Sequence, residues 1–364
     1  MIRLSLVIPT LDRSGAEKQF ALLAAGLPKD RFEVEVVALT RSGPLEADLR
    51  GAGVPVHVLG KRWRFDLTPV LHLKKWLRER QPDIVHSWLF AANSAARLAA
   101  PRGGRTKVVI SERCVDSWKS GWQHWVDRRL WRRTDRMLAN SQSVADFYAG
   151  RGYDRNRITV IPNGVAVPSG PANSREQFLK DLGFPPQARV AMYVGRLAKQ
   201  KRIQDLLWAA QLLRQSLPDF RFVLVGDGPD RAALEQYARD VEVSKFVSFL
   251  GHRQDAASLL HHADVFWLAS DFEGMSNSLM EAMACGKPCV VSDIAPNREL
   301  VVHDETGYRM NIGDSVGFAQ FTQRLLLDSD LAARLGQAGA ARMAEHFSIS
   351  RMIDRHIAFY ESLK

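Results

Sequence analysis

The sequence predicts the α/β class, with two doubly wound parallel sheets in succession. Three observations carry that prediction. The chain has 364 residues, 46% of them hydrophobic, which exceeds the usual size of a single core. Short apolar runs of strand character alternate with segments of helical period along almost all of it. Residues 165–173 (VAVPSGPAN), rich in breaking and small residues, interrupt the alternation, which then starts afresh.

In the first half, residues 4–9 (LSLVIP) read as a buried strand, followed by a loop at 10–15 and an apolar-periodic helix over about 16–27. Residues 32–39 alternate into a second strand, and 51–59, 83–88 and 107–111 supply three more, with helical segments at 67–80 and 93–100. MLANSQSVADFY (137–148) reads as a strand end and helix start, and 158–165 as a short strand and turn. The second half repeats the scheme: strands in 188–197, 220–226, 247–250, 263–270 and 289–293, a helix over 203–216, and a helical tail from 314. The expected division is 1–168, 169–345 and a terminal helix at 346–364.

The formal net charge of +10 is unevenly spread. Residues 1–170 hold 28 Lys and Arg against 16 Asp and Glu, a balance of +12; the remaining 22 against 24 give −2. The first half is therefore the one expected to face something anionic. Within it, 118–137 (WKSGWQHWVDRRLWRRTDRM) has four tryptophans and six basic residues. Trp118, Trp122 and Trp125 follow helical spacing, with Arg128, Arg129, Arg132 and Arg133 among the basic positions. Such a helix can lie on an anionic membrane surface, or it can pack in the core behind a solvated basic face. Nucleic acid is discounted, since no nucleic-acid module accompanies the charge. The first ten residues are too short an apolar stretch for a leader, and no run of about eighteen apolar residues occurs, so a cytoplasmic location is expected, with peripheral contact to the inner membrane face. Cys114, Cys285 and Cys289 form no even disulfide framework and have no metal-ligand spacing.

The chemistry concentrates in 271–288 (DFEGMSNSLMEAMACGKP), where a polar loop runs into a short helix between two strands. That arrangement turns backbone N–H groups of a helix N-terminus toward the carboxyl edge of a parallel sheet, where phosphates bind. Glu273 in the loop and Glu281 in the helix could each hold a diol of an elongated ligand. The alternative is a capping box, with Ser278 as N-cap, Glu281 three residues on, and Glu273 merely solvated. Upstream, Gly195, Arg196 and Lys201 follow a strand, and two cations at that spacing can converge on two phosphates. Gly226 to Pro229 form a glycine-rich strand exit that is weak evidence of a site when taken alone.

Taken together, Gly195-Arg196, Lys201, the turn at 226–229 and the Glu-x7-Glu segment ending in CGKP resemble the retaining glycosyltransferases of family 4. That resemblance implies the GT-B fold: two Rossmann-like domains facing a cleft, with the last helix crossing back to the first domain. It implies transfer of a sugar from a nucleotide diphosphate sugar, UDP more often than GDP, to a glycan or lipid-linked acceptor. Arg196, Lys201 and the backbone near Gly274, Met275, Ser276, Asn277 and Ser278 would hold the diphosphate. Glu281 would take the ribose, Glu273 the sugar, His86 the sugar from the other domain, Arg253 the base, and Gly15 and Gly226 would allow close approach. Glu112 and Arg113 are further acceptor-side candidates. Two departures stand out, Ser14 where a glycine is usual and Arg202 where one commonly follows the lysine. Neither a cofactor nor a metal is expected. Two other classes compete: a nucleotide-sugar epimerase of the same architecture, and a non-catalytic protein that docks on anionic membranes.

Overall fold

The computed structural model describes residues 1–61, 66–101, 103–116 and 119–364. The chain forms two units, Met1–Gly164 with Ile349–Lys364, and Val165–Ser348.

In the first unit the strands are β1 (Ile2–Thr10), β2 (Phe32–Arg41), β3 (Val56–Val58), β4 (Ile84–Trp88), β5 (Lys107–Glu112), β6 (Arg136–Ala139) and β7 (Ile158–Val160). Their order is β3-β2-β1-β4-β5-β6-β7, and every pairing is parallel. Because side chains alternate along a strand, β1 sends Leu4, Leu6 and Ile8 to one face and Val7 to the other. Both faces are buried, which is why these strands read as apolar runs. On the first face lie Phe20 and Leu23 of the helix Gly15–Gly26 and Met352, Ile357 and Tyr360 of the helix Ile349–Glu361. Helices Thr68–Arg80 and Phe90–Ala99 cover the second. The terminal helix thus completes the core of the first unit, not that of the residues preceding it.

Two expectations need correction. The strand expected over 51–59 is confined to β3, because Gly51 ends a seven-residue helix begun at Leu45 and the chain then turns through Ala52 and Gly53, the latter at φ +73°, before it extends. The tryptophan-rich segment is not one continuous helix. Gly121–Leu130 is helical and Trp131–Arg133 tightens into a 3-10 turn; Trp118 lies outside the described residues.

The second unit carries β8 (Arg189–Val194), β9 (Phe220–Val225), β10 (Val247–Phe249), β11 (Val265–Leu268), β12 (Cys289–Ser292) and β13 (Tyr308–Met310). The order is β10-β9-β8-β11-β12-β13, again all parallel. Trp267, Phe222 and Phe318 pack at its centre, with the Trp267 indole N–H donating to Thr322 at 2.7 Å. The chain order reverses between β8 and β11, which makes their carboxyl ends the topological switch point, the place where such sheets bind ligands.

Candidate functional site

The loops after β8 and β9 are zipped together by backbone bonds. Gly195 N–H donates to Val225 O at 2.9 Å, Leu197 N–H to Asp227 O at 2.9 Å and Asp230 N–H to Leu197 O at 3.2 Å. The approach is too close for a side chain at Gly226, where a Cβ would stand 1.9 Å from Gly195 O. Gly226 also has φ +141°, which L side chains rarely adopt. Its role is therefore to let two loops meet.

The β8 loop then turns through Lys199–Lys201 into the helix Ile203–Ser216. Arg202 sits at φ +50°, ψ +42°, the left-handed region. This explains why glycine is common there; here an arginine is held in that conformation by Asp205 and by Asp271 at 3.2 Å. The β8 and β11 loops are laced by Asp271 N–H to Gln200 O (2.8 Å) and Gln200 Nε2 to Phe272 O (2.9 Å). That lacing brings Lys201 Nζ into an ion pair with Glu273, whose Oε1 also accepts the Ser270 hydroxyl at 2.6 Å. Glu273 is 7% exposed, so the sequence alternative of a merely solvated carboxylate does not hold.

Beneath them, the Tyr193 hydroxyl donates to Arg196 O at 2.9 Å, fixing the backbone of an otherwise exposed arginine. Burial, aided by the Glu273 charge, pushes the Tyr193 phenol well above its ordinary value, so it stays a protonated donor.

The helix Asn277–Ala284 is capped by Ser276, whose Oγ accepts Leu279 N–H at 3.4 Å. Ser278 is thus already helical and the Ser278–Glu281 capping box does not form. Glu281 stands beyond the first turn, partly exposed. Met275 is buried in the core, which leaves its backbone as what it can present. The second unit therefore brings together Gly195, Arg196, Lys201, Gly226, Glu273 and the start of this helix at adjacent strand ends. Arg253 behaves differently. It follows the edge strand β10 and is engaged bidentately by Asp255 at 2.8 and 2.7 Å. Sequence reasoning missed Tyr193, Gln200 and Ser270, whose roles are hydrogen bonds across the loops.

Gly15 and His86 belong to the first unit. Gly15 is the first residue of its helix, after Ser14, whose hydroxyl bonds Glu17. His86 is corrected. It lies in the middle of β4, between Leu6 and Val109, because the strand continues to Trp88. It is fully buried, with Nδ1 on the Tyr360 hydroxyl and Nε2 on Ser111 Oγ, both at 2.7 Å. Burial, then His356 and Arg113, hold its pKa well below the usual range, so it is a neutral ring that ties the terminal helix to the sheet. Both nitrogens are committed to the fold rather than to a sugar.

The helix Gly121–Leu130 is fastened inward by a charge: Asp127, 1% exposed, meets Arg97 and Lys119. Glu112 and Asp116 complete the cluster around Lys119, and burial raises Glu112 to about 7. With its polar side buried, the helix turns Trp122 (50% exposed) and Trp125 (64% exposed) outward, together with Arg128, Arg129 and Arg132. Arg133 departs from this face by donating to Ala100 O at 2.7 Å. Among the described residues no helix is long and apolar enough to cross a membrane, and no three His, Cys, Asp or Glu side chains gather as a metal site.

Two family profiles match the chain: "Glycosyl transferases group 1" over residues 174–342 and "Glycosyltransferase Family 4" over 13–167. Escherichia coli UDP-Gal:alpha-D-GlcNAc-diphosphoundecaprenol alpha-1,3-galactosyltransferase is 28% identical over 345 residues, 90% of this chain and 89% of its own. Bacillus anthracis N-acetyl-alpha-D-glucosaminyl L-malate synthase is 29% identical over 184 residues, 50% of this chain and about half (48%) of its own length. The crystal structure of Anabaena Alr3699/HepE in complex with UDP-glucose superposes with a TM-score of 0.87 at 22% identity, covering both chains fully (100% of each), which shows the fold. The chain is a family 4-like glycosyltransferase with the GT-B fold.

Proposed function

We propose that the protein transfers a hexose from a nucleoside diphosphate sugar, UDP in preference to GDP, to a glycan or lipid-linked acceptor with retention of anomeric configuration. The observation that carries the reading is the convergence of Lys201 and Glu273 at the carboxyl edge of the second sheet, beside Arg196 and the start of the helix Asn277–Ala284. As the bond from the sugar C1 to the phosphate oxygen breaks, the nucleoside diphosphate gains negative charge. Arg196, Lys201 and the helix N-terminus stabilise it without a metal, each donor lowering the barrier by about 3–4 kcal/mol. Glu273 orients Lys201 and the sugar, and Glu281 takes the ribose. The acceptor oxygen bonds C1 on the face the leaving group departs from, and its proton passes to a diphosphate oxygen.

UDP is favoured because the galactosyltransferase relative names a UDP-sugar donor and the Anabaena structure holds UDP-glucose. The same relative's lipid-linked acceptor, together with the outward Trp122, Trp125, Arg128, Arg129 and Arg132, supports an acceptor presented at an anionic membrane face. The family match favours transfer over the epimerase and docking-protein alternatives. Thermal unfolding with a panel of UDP- and GDP-sugars tests the donor reading: stabilisation by UDP compounds alone supports it, and none by either class contradicts it. Sedimentation with anionic vesicles tests the surface, where reversing Arg128, Arg129 and Arg132 to glutamate should abolish binding.

A further inference from the structure

Four adjacent strands of the first sheet end in polar residues that meet around one cation. Trp88 ends β4, Arg113 follows β5, Asn140 follows β6, and Asn163 lies just beyond β7. The Arg113 guanidinium stacks on the Trp88 ring at 4.1 Å to its centroid and donates through Nη2 to Asn163, while Asn140 Nδ2 donates to Arg113 O at 3.1 Å. The side chain is held in place and 9% exposed, yet its Nε and Nη1 have no hydrogen-bond partner. The neighbouring Trp88 Nε1 is also buried without one.

The contrast within the unit is informative. Its other buried cations, Arg97 and Lys119, each face at least one carboxylate, whereas among the described residues none forms an ion pair with Arg113. Desolvation alone pulls its pKa down to about 9, with no anion to restore it. Folds seldom bury a charge without compensation, and a planar guanidinium with open donors on both edges is suited to an oxyanion. The carboxyl edge of a parallel sheet is where such ligands bind.

We infer that Arg113, with the Trp88 indole N–H beside it, binds a phosphate group of the acceptor in the first unit. This deepens the proposed function, since it names the acceptor as a phosphate-bearing molecule and gives the excess positive charge of the first half of the chain a specific contact. The phosphate can be lipid-borne or part of a soluble ester, since the guanidinium recognises only the oxyanion.

The test uses full-length protein held at saturating UDP, into which inorganic pyrophosphate is titrated calorimetrically. One site is expected in the wild type, weakened at least about 30-fold in Arg113→Gln and less in Arg113→Lys, with UDP affinity unchanged. In ligand-free protein Arg113→Met should raise Tm by about 2–4 °C, because an uncompensated buried charge has been removed; a purely structural arginine would lower it. Equal pyrophosphate binding by Arg113→Gln, no binding by the wild type, or a fall in Tm for Arg113→Met overturns the inference. If UDP itself does not bind, the titration on free protein still decides it, so failure of the donor reading and failure of this one are distinguishable. Acceptor arms with soluble and vesicle-borne phosphate esters then separate the two sources, each arm supporting the inference only if Arg113→Gln raises the acceptor KM and leaves the donor KM unchanged.

Discussion

Replacing Lys201 by methionine removes a cation that faces Glu273 and that the proposed mechanism places on the leaving diphosphate. Its two consequences separate in a double variant. In the single variant Glu273, 7% exposed, keeps the Ser270 hydroxyl but loses its counter-charge, at a cost of about 1–3 kcal/mol. For a unit of this size that lowers Tm by roughly 3–9 °C. In Lys201→Met/Glu273→Gln both charges are gone and the amide still accepts from Ser270, so most of that loss returns, a coupling of about 1–2 kcal/mol. Nucleotide binding does not return. A charge-assisted bond to phosphate contributes about 1.5–3 kcal/mol; at about 2.7 kcal/mol, Kd rises about 100-fold. With UDP at about 100 times the wild-type Kd, ligand stabilisation falls from about 2.7 kcal/mol to about 0.4 kcal/mol. Differential scanning fluorimetry then reads a UDP-induced rise of roughly 5–10 °C in the wild type and about 1 °C in the double variant. A double variant that keeps the full rise refutes the assignment of Lys201 to the phosphate.

Three further outcomes follow from the same structure. Gly226→Ala forces a Cβ against Gly195 O and should lower stability by about 1–3 kcal/mol, measured in urea, with weaker UDP binding because the β8 loop shifts. Glu112 is pushed up to about 7 from an ordinary 4.5, so the folded chain keeps a proton that the unfolded chain has released. Its contribution is greatest below about pH 4.5 and is lost as pH rises to about 7; Glu112→Gln should flatten the decline in Tm between about pH 5 and 7.5 and be the more stable form at about pH 8, and parallel slopes would count against the buried-charge account. Tyr360→Phe strands His86 Nδ1 and should cost about 1–3 kcal/mol, whereas an unchanged denaturation midpoint would deny the terminal helix that anchor.

Most of the fold is legible in the sequence because a parallel sheet buries both faces, which makes strands such as β1 and β8 continuous apolar runs. The seven-residue helix Leu45–Gly51 escapes notice because it is too short to show a period. The donor-side motif is legible because its glycines and charges sit at strand ends. Its internal wiring is not: Lys201 and Glu273 are 72 residues apart, and nothing local marks Ser270 or Tyr193 as their partners. His86 misleads for the same reason, since a histidine in an apolar strand looks functional until Tyr360, 274 residues later, is seen to share a hydrogen bond with it. Ser276 and Ser278 are equally good caps by type, and only the tertiary position of the loop chooses the first. The tryptophan-rich helix reads either way by composition. What settles its orientation is Asp127 on the Arg97–Lys119 cluster, a pairing set by packing and not by spacing.

Hydrogen exchange with UDP present and absent probes the grip on the diphosphate most directly. Slowed exchange should be confined to the loop at 195–202, the turn at 226–229 and the segment 273–281, with the first unit unchanged. Protection centred on the strand ends of the first sheet instead, or no protection at those three segments under saturating nucleotide, would contradict it.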